Sequence, residues 1–472
     1  MRVQHWQQDQ FITPNRYYHH SAGDFWSLDA LLPARDNQSL KRMPSWTGHI
    51  DYVSNFDYPF GAYYEVLNNK FYFIGTDTAN SDIGQMVIEH ADLSTSGVHQ
   101  LSSTPSEIGG RHKLNVAAAL NSFWLVGSDR DVYRTATTPG GYTAAAYTGG
   151  DAHALLTVRD TIFMLTQTDD LYRYDNDASA FASYLDNPVI NVEYMMHYRE
   201  NIVLFCRQPD GALYVYLVDD RPPADLRQLA YIETATGRYV PDDVAASWAT
   251  PWAIQEDKLF FSPGVYWSSS SDCEVIPIWL FDGNSVELVD KVDAPVVPTA
   301  WGLVQWRGRL ILYFLSASAQ YIYLYHGGRF VQVLDGALTC PDDADLYPMA
   351  GELWLPTTES ATDGWTRLED YEDGVFISSW IDMGRPTVQK HLLNLSAVVS
   401  DAVADFYTKI EYRTESGSWT QAANTANARH IVATDLGVDF YLLQIRVTLD
   451  DNTGNDEEIE LESIAATYSY GR

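Results

Sequence analysis

Cysteine is scarce in this chain of 472 residues. The three cysteines, Cys206, Cys273 and Cys340, are odd in number and far apart, which excludes a disulfide framework and fits no metal-ligand spacing. We therefore predict no redox or metal role for them and interpret them as small, buried hydrophobic side chains.

Positive charge is also in short supply. Lysine and arginine number 30 against 63 acidic residues, only seven of the 30 are lysine, and the formal net charge is −33 at pH 7. A surface this acidic repels nucleic-acid backbones, so nonspecific DNA binding on the outer surface is not expected. Two explanations of the acidity stay open: a solvated surface that keeps a large assembly soluble, or adaptation to a high-salt, halophilic habitat.

Long apolar runs are absent. No stretch approaches the roughly 18 consecutive apolar residues of a transmembrane helix, so no membrane span is expected. The N-terminal residues MRVQHWQQDQFITPNRYYHH contain no apolar core segment, which argues against a secretory signal peptide. Helical periodicity is nearly absent as well, which excludes α-solenoids and βαβ folds.

A hairpin motif recurs along the middle of the chain instead. In Thr161–Asp177, the apolar run Ile162–Met164 is followed by the turn Asp169–Asp170 and by the aromatic strand Leu171–Tyr174. The first apolar strand recurs every 39 to 57 residues, with anchors at Phe71, Phe123, Ile162, Ile202, Leu259, Leu310 and Leu353. A supersecondary unit repeated at this period predicts a repeat architecture.

The residue pattern within each repeat predicts four strands. A strand of small and apolar residues precedes most anchors, as at Asn115–Leu120, Ala154–Val158, Tyr194–Tyr198 and Gly302–Trp306. An aromatic strand follows, and a less regular fourth strand such as Arg329–Gly336 completes the unit. Four strands in about 40–50 residues are typical of a β-propeller blade, in which small residues suit the crowded innermost strand. Seven anchors predict seven blades, or six if one irregular unit is not a true blade.

The chain therefore predicts an all-β protein in three parts. Residues 1–48 lack regular periodicity and are interpreted as an extended N-terminal arm or clasp, and residues 49–373 as a β-propeller of six or seven four-stranded blades. Residues 374–472 alternate at period two between short turns, which predicts a jelly-roll-like β-sandwich. We expect a strand near Ile50–Asn55 to close the ring beside the last unit, and Asp219–Asp243 to form a loop on one face.

No catalytic set stands out. Gly-x-Ser-x-Gly, His-Glu-x-x-His and a Cys/His neighbourhood are all missing, and the adjacent pair His19–His20 would point to opposite sides of a strand. Ser360–Glu369 distantly resembles the Asp-box turn of sialidases, but it is misspaced by one residue and unrepeated, so we interpret it as a hairpin turn. The acidic turns Asp129–Asp131 and Asp169–Asp170 are interpreted as turn geometry. We therefore predict no catalytic, cofactor-binding or metal residues, no cofactor, and no enzyme activity.

Three acidic loops have oxygen ligands of the kind calcium binds: Asp450–Glu458, Asp175–Ser179 and Cys340–Asp345. None has EF-hand spacing, and we interpret them as solvated turns. Some aromatic residues look exposed in loops and could anchor a glycan or a partner, but ordinary blade-to-blade packing is our default interpretation of them. They are Tyr17–Tyr18, Tyr58, Tyr266–Trp267 and Trp365.

Two phrases resemble tail proteins of tailed viruses. Ser27–Trp46, with Leu31-Leu32-Pro33 and Leu40-Lys41-Arg42-Met43-Pro44, resembles the segment that leads into their propeller, although Ser45 stands where glycine is usual. Phe376–Leu395, with Asp-x-Gly-x-Pro before Lys390, and Ile410–Trp419, with Tyr-Arg-Thr before Gly-x-Trp, are similar to a jelly-roll module of phage tail and neck proteins. The order of arm, propeller and jelly roll resembles tail hub (packaged-DNA stabilisation), nozzle or tail-tip proteins.

This resemblance implies a structural virion protein, made in the host cytoplasm, that forms a homo-oligomeric ring of six-fold or three-fold symmetry. Its partners would be other virion tail proteins and a host surface receptor or glycan, while genome DNA would at most pass through without sequence-specific binding. Asp219–Asp243 or the C-terminal module would carry host contact. The alternative is a glycan-binding or glycan-hydrolysing propeller, which needs a pocket with two carboxylates if it is a glycosidase.

Overall fold

Alternating apolar and polar residues rich in Val, Ile, Tyr and Phe favour strands, and the computed structural model has 44 strands and no helix among the residues it describes. These are residues 3–8, 13–14, 24–29, 31–33, 40–42, 44–51, 56–65, 69–77, 82–89, 95–102, 116–119, 122–127, 130–136, 142–186, 192–207, 212–232, 238–239, 248–250, 252–262, 266–269, 272–293, 300–316, 319–336, 340, 345–359, 362–371, 374–383, 385–400, 406–415, 417–451 and 459–470.

The N-terminal region contributes six strands. Their bounds are β1 (Val3–Gln8), β2 (Thr13–Pro14), β3 (Asp24–Asp29), β4 (Leu31–Pro33), β5 (Leu40–Arg42) and β6 (Pro44–Asp51).

Blades 1 to 4 each contain four consecutive strands, paired antiparallel in chain order. Their bounds are β7 (Phe56–Glu65), β8 (Lys70–Asp77), β9 (Asp82–Glu89) and β10 (Thr95–Ser102) in blade 1; β11 (Val116–Ala119), β12 (Ser122–Val126), β13 (Val132–Ala136) and β14 (Tyr142–Tyr147) in blade 2; β15 (Ala152–Val158), β16 (Thr161–Thr166), β17 (Leu171–Asp175) and β18 (Ala180–Leu185) in blade 3; and β19 (Val192–Tyr198), β20 (Asn201–Arg207), β21 (Leu213–Asp219) and β22 (Leu226–Ile232) in blade 4.

Blades 5 and 6 carry additional strands, and blade 7 borrows one from the N-terminal region. Their bounds are β23 (Arg238–Tyr239), β25 (Trp252–Gln255), β26 (Lys258–Phe261), β27 (Tyr266–Ser269), β28 (Asp272–Phe281) and β29 (Val286–Asp293) in blade 5; β24 (Trp248–Thr250), β30 (Ala300–Trp306), β31 (Arg309–Ser316), β32 (Ala319–His326) and β33 (Arg329–Gly336) in blade 6; and β34 (Tyr347–Met349), β35 (Glu352–Glu359) and β36 (Thr362–Tyr371) in blade 7.

The fourth strand of blade 7 is β6, which closes the ring. It runs antiparallel to β36, with Ile50 opposite Trp365 and Asp51 opposite Gly364. The first strands of blades 7 and 1 also contact each other. The predicted closure beside the last unit is thus confirmed for Ile50 and Asp51, while residues 52–55 lie outside the described residues. All seven anchors fall on the second strand of a blade, so the count is seven.

The insertion differs from its prediction. Leu226–Ile232 forms β22, and Ile232 pairs with Leu213 as part of the fourth strand of blade 4. The expected loop over Asp219–Asp243 is therefore wrong for these residues, because an alternating segment satisfies its backbone hydrogen bonds at an open blade edge. Arg238–Tyr239 pairs with β27 of blade 5, and residues 233–237 and 240–243 lie outside the described residues.

The C-terminal strands form two sheets around one core. Their bounds are β37 (Gly374–Ser378), β38 (Lys390–Val399), β39 (Phe406–Thr414), β40 (Thr420–Ala426), β41 (His430–Ala433), β42 (Val438–Phe440), β43 (Leu443–Asp451) and β44 (Glu460–Tyr470). One sheet has the order β4-β5-β44-β38-β41, with β1 on β44 and β42 on β38, and the other has the order β2-β3-β37-β43-β39-β40.

The sequence predicts an extended arm at the N-terminus, but strands β1 to β5 of this region are part of the sandwich. β1 to β5 pair within its two sheets, and Leu31 and Leu40 are fully buried in its core. Val331 of blade 6 belongs to the same core cluster, so the outer strand of that blade contacts the sandwich.

Acidic turns between second and third strands bind the next blade. Asp169 has a φ of 67°, and its carboxylate accepts a hydrogen bond of 2.9 Å from the Val192 N–H in blade 4. Asp131 accepts one of 3.0 Å from the Gly150 N–H, just before blade 3. These carboxylates therefore serve turn geometry and blade contact.

Paired aromatic and arginine residues link the turns between first and second strands. The Tyr198 hydroxyl donates to the Asp257 carbonyl at 2.7 Å, and Arg199 Nη2 donates to the same oxygen at 3.1 Å. The Arg199 guanidinium lies 5.0 Å from the centre of the Tyr198 ring. This pair joins blade 4 to blade 5.

Blade 6 repeats the arrangement toward blade 7, which allows a test. Trp306 Nε1 and Arg307 Nε donate to the Gly351 carbonyl at 3.0 and 2.8 Å. Replacing Arg307 with alanine should lower the free energy of unfolding by about 1 kcal/mol, because this hydrogen bond is lost. Arg307→Gly should cost less, since Arg307 has a φ of 50°, which glycine tolerates better. Urea unfolding of the two variants measures the difference, and a larger loss for glycine would contradict the argument.

Candidate functional site

A polar cleft of about 400 Å³ lies between the outer strands of blade 3 and the turn that follows β21 in blade 4. Residues on β17, β18 and the turn that joins them form most of its wall, and Pro222 lies on the opposite side. Its volume falls in the range of about 300–1,000 Å³ that small-ligand sites occupy.

The turn after β17 holds an acidic rim of the cleft. Asp175 ends the strand, and its Oδ1 accepts hydrogen bonds from the Asp177 N–H at 2.9 Å and the Ala178 N–H at 3.4 Å. This Asx-type turn is completed by Ser179, which has a φ of 53°. Asn176 and Asp177 are thereby placed at the cleft with exposed side chains.

Tyr184 joins the two blades at the cleft. Its hydroxyl donates a 2.7 Å hydrogen bond to the Asp219 carbonyl, and its ring lies edge-on to Phe163, with 5.1 Å between the ring centres. Burial raises the pKa of Tyr184, although the neighbouring Arg173 guanidinium opposes that rise. The hydroxyl is therefore a protonated donor at neutral pH.

Arg173 is the cationic side chain of the cleft wall. Within the described residues, its buried Nε has no hydrogen-bond partner. The rest of its guanidinium is half-buried at the cleft wall and has no acceptor among the described residues, so it could donate to a ligand there.

An ion network lies at the same blade junction. The Asp220 carboxylate is only 2% exposed and lies 3.2 Å from Arg159 Nη2 and 3.2 Å from His197 Nε2. Glu200 adds a longer contact of 3.8 Å to Arg159 Nη2. Because Arg159 belongs to blade 3 and the other residues to blade 4, this network holds together the junction that forms the cleft.

The sandwich carries a ladder of aromatic and guanidinium groups, which we call the Trp–Arg ladder. Arg413 lies 5.2 Å from the ring centre of Trp380 and 4.7 Å from that of Trp419, and Arg446 lies 4.6 Å from Trp419. Arg446 Nε also donates to Glu411 Oε2 at 2.6 Å. Arg413 and Trp419 are the arginine and tryptophan of the Tyr-Arg-Thr…Gly-x-Trp phrase, so this motif has a packing role.

Lys390, which follows the Asp-x-Gly-x-Pro motif of Phe376–Leu395, is fully buried and organises a loop. Its Nζ donates to the carbonyls of Arg385 at 2.6 Å, Val388 at 2.8 Å and Tyr441 at 3.0 Å. Three acceptors match the three donors of an ammonium group. Burial lowers the pKa of Lys390, while Asp382 and Glu415 oppose that change.

The aromatic candidates that the structure describes lie on strands. Trp365 is not in an exposed loop, and its default interpretation as a blade-packing residue is confirmed: it is fully buried on β36, with ring-centre distances of 4.4 Å to Phe73 and 5.4 Å to Tyr347. Large rings fill the junction between blades 7 and 1, so packing is its role. Tyr58 and Tyr266–Trp267 lie on β7 and β27, where loops were predicted. Tyr17–Tyr18 and His19–His20 lie outside the described residues.

The acidic loops are described only in part. Asp175–Ser179 forms the turn of the cleft, whereas residues 452–458 and 341–344 lie outside the described residues. Asp345 is buried and accepts hydrogen bonds from the Tyr313 hydroxyl and from the Leu346 N–H. In the described ranges no group of three or more His, Cys, Asp or Glu residues is placed to hold a metal ion.

The remaining candidates are packing features. Cys206 and Cys340 are buried, as predicted, and burial raises the pKa of the Cys340 thiol to about 12. Glu359 pairs with Thr362, so the Asp-box-like fragment belongs to the hairpin of β35 and β36, as predicted.

Sequence patterns did not indicate Arg173, Tyr184 or Asp220. Their neighbours across the cleft come from another blade, so no spacing within one repeat records the contact. A signal was present for Lys390 and Arg413, which stand in the two quoted phrases of the C-terminal region.

Comparison with known proteins places the chain in no family. No family model matches it, and no curated protein matches it. It is similar to the RRP9 WD40 repeats, at 10% identity and a TM-score of 0.46 over 70% of this chain and 99% of that chain. It is similar to U3-55K, at 9% identity and a TM-score of 0.45 over 69% and 99%. A chain in the S. cerevisiae structure of dbp5 bound to nup159, gle1, IP6 and ADP matches at 9% identity and a TM-score of 0.43 over 69% and 94%.

The described residues include no helix with the length and apolar character needed to cross a membrane. The fold itself follows from strand order: the chain is an all-β protein in which a seven-bladed β-propeller is closed by β6 and joined to a β-sandwich.

Proposed function

We propose that this protein is a structural component of a viral tail, a hub, nozzle or tail-tip ring that connects tail parts and closes or extends the DNA channel. The observation that carries this proposal is the role of the motif residues in the sandwich. Lys390, Arg413 and Trp419, which belong to the phrases that resemble the jelly-roll module of tail and neck proteins, each have a specific packing or hydrogen-bonding role there.

The pairing of the N-terminal strands with both the propeller and the sandwich supports the same proposal. The N-terminal strands close the propeller through β6 and complete both sheets of the sandwich through β1 to β5. A subunit tied together in this way can bear load from its neighbours. Among the described strands β40 pairs only with β39, which leaves an edge where a neighbouring chain could add a strand.

The acidic composition fits a channel component. A surface with a net charge of −33 would let genome DNA pass without adhering to it, so DNA would be cargo and not a specific ligand. Other virion tail proteins would be the stable partners.

Assembly tests this proposal. Light scattering and electron microscopy of the purified protein should show a ring of six-fold or three-fold symmetry, and imaging of intact particles should place it in tail density. A protein that stays monomeric with and without its tail partners, and is absent from particles, would overturn the proposal.

A glycan-directed propeller is the second candidate, and the cleft of blades 3 and 4 is the observation that favours it. Asp175, Asn176, Asp177 and Arg173 line that cleft. Cleavage of a glycan by purified protein, abolished by loss of one cleft carboxylate, would indicate a glycosidase. Binding without turnover would indicate a receptor-binding module.

A further inference from the structure

We propose that the cleft between blades 3 and 4 binds an uncharged pyranose unit of a glycan. This inference rests on the glycan-directed candidate above and names the site and the class of sugar. Three properties of the cleft carry it: free hydrogen-bond acceptors, one guanidinium without a partner among the described residues, and an excess of negative charge.

The acceptors are the two carboxylates of the turn after β17. Asp175 uses only Oδ1 for the turn, and no other described residue bonds its Oδ2. Asp177 lies exposed beside it, and its carboxylate has no hydrogen-bond donor among the described residues. A carboxylate accepts from two neighbouring hydroxyls at once, and the amide of Asn176 both donates and accepts. Vicinal hydroxyls of a pyranose match this set.

The donor is Arg173. It lines the cleft with a half-buried side chain, and its guanidinium has no acceptor within the described part of the chain, so a ring oxygen or hydroxyl oxygen in the cleft would accept a hydrogen bond from its terminal nitrogens. Ser183 donates to Asp186, which leaves its oxygen lone pairs as a further acceptor. The Tyr184 hydroxyl is already bonded to Asp219, so its ring, and not its hydroxyl, is available to the apolar face of a sugar.

Charge selects an uncharged sugar. The lining groups are two carboxylates and one guanidinium, and the nearby Arg159 is already paired with Asp220. Sialic acid, a uronate or a sulfated sugar would place another negative charge beside Asp175 and Asp177, which costs affinity. A cleft of about 400 Å³ holds one pyranose ring with its hydroxyls.

The test uses the full chain and free sugars as probes. Saturation-transfer NMR and calorimetry are run with the methyl glycosides of galactose, glucose, mannose and N-acetylglucosamine, and with N-acetylneuraminic acid and glucuronic acid as charged probes. At least one uncharged glycoside should bind, and both charged probes should bind more weakly than it does.

Three variants locate the binding. Asp177→Asn removes a charge-assisted acceptor and should weaken binding about tenfold. Ala182→Trp fills the cleft from an exposed position and should abolish binding. Asp293→Asn makes the same substitution as the first variant at an exposed site on blade 5, outside the cleft, and should bind as the unmodified protein does.

The outcomes separate the inference from the functions above. Binding only of the charged probes, or binding unchanged in both cleft variants, overturns the inference while a glycan-binding protein remains. No binding of any of the six probes also overturns it. Ring assembly and virion imaging report on the tail proposal independently of these results.

Discussion

A chain that begins at residue 52 should fail to fold, in both its propeller and its sandwich. The deleted segment supplies the fourth strand of blade 7 and five strands of the two sandwich sheets. Without β6, one edge of β36 loses its antiparallel partner and the ring stays open. Total stabilities of about 5–15 kcal/mol do not survive a loss of this size. Near-ultraviolet circular dichroism and limited proteolysis measure the result.

A shorter deletion provides the control. Removing residues 1–14 takes away β1 and β2 but keeps the closing strand β6 and the buried residues Leu31 and Leu40. We expect this protein to fold with a closed propeller and a destabilised sandwich. Cooperative unfolding of the 52–472 chain at the midpoint of the full chain would contradict the assignment of β6 as the closing strand.

The core beside β36 explains why closure matters. Trp354 and Trp365 of blade 7 pack on Phe71 and Phe73 of blade 1, and all four side chains are fully buried. An open ring would expose these rings to water, and each large buried side chain contributes about 1.5–3 kcal/mol. The N-terminal strand β6 therefore protects the aromatic junction between blades 7 and 1.

Replacing Lys390 with methionine should lower the free energy of unfolding by about 3 kcal/mol. The change keeps the side-chain volume but leaves the carbonyls of Val388 and Tyr441 without their donor, at about 1–3 kcal/mol each. The Arg385 carbonyl keeps a 3.2 Å bond from the Val388 N–H, so it contributes little to the loss. Denaturant unfolding at neutral pH measures the effect.

The control is Lys291→Met, which makes the same substitution at an exposed position on β29 and should change stability by less than about 0.5 kcal/mol. Equal effects of the two substitutions would refute the role of Lys390.

The pH dependence of the Lys390 variant has a definite sign. Burial lowers the pKa of Lys390 below its value in the unfolded chain, which is about 10.4. Between the two values the unfolded chain binds more protons, so the unfolding free energy contributed by this residue rises with pH. The difference in stability between the unmodified protein and Lys390→Met should therefore widen as the pH approaches 10, approximately the unfolded value. A difference that shrinks would contradict the lowered pKa.

Local sequence patterns predicted much of the strand arrangement of the propeller. Anchors such as Phe71 and Leu353 mark the second strand of each blade because that strand is apolar on both faces, a pattern that local reading detects. The same reading failed at Leu226–Ile232, where a Pro- and Asp-rich context resembles a loop although the segment completes a blade. It also made Trp365 look exposed, since burial depends on which blade lies opposite.

The sequence by itself determined the all-β class, the seven anchors and the sandwich, because each shows as a pattern among residues close together in the chain. The closure near Ile50 followed from the rule that a ring of blades leaves no open edge. Only the tertiary structure decided where β1 to β5 pair, why Lys390 is buried, and that Arg173, Asp177 and Tyr184 face Pro222 across one cleft. These contacts join segments that lie far apart in sequence or in different blades. Their strength comes from burial and hydrogen-bond geometry, which no pattern within a single repeat records.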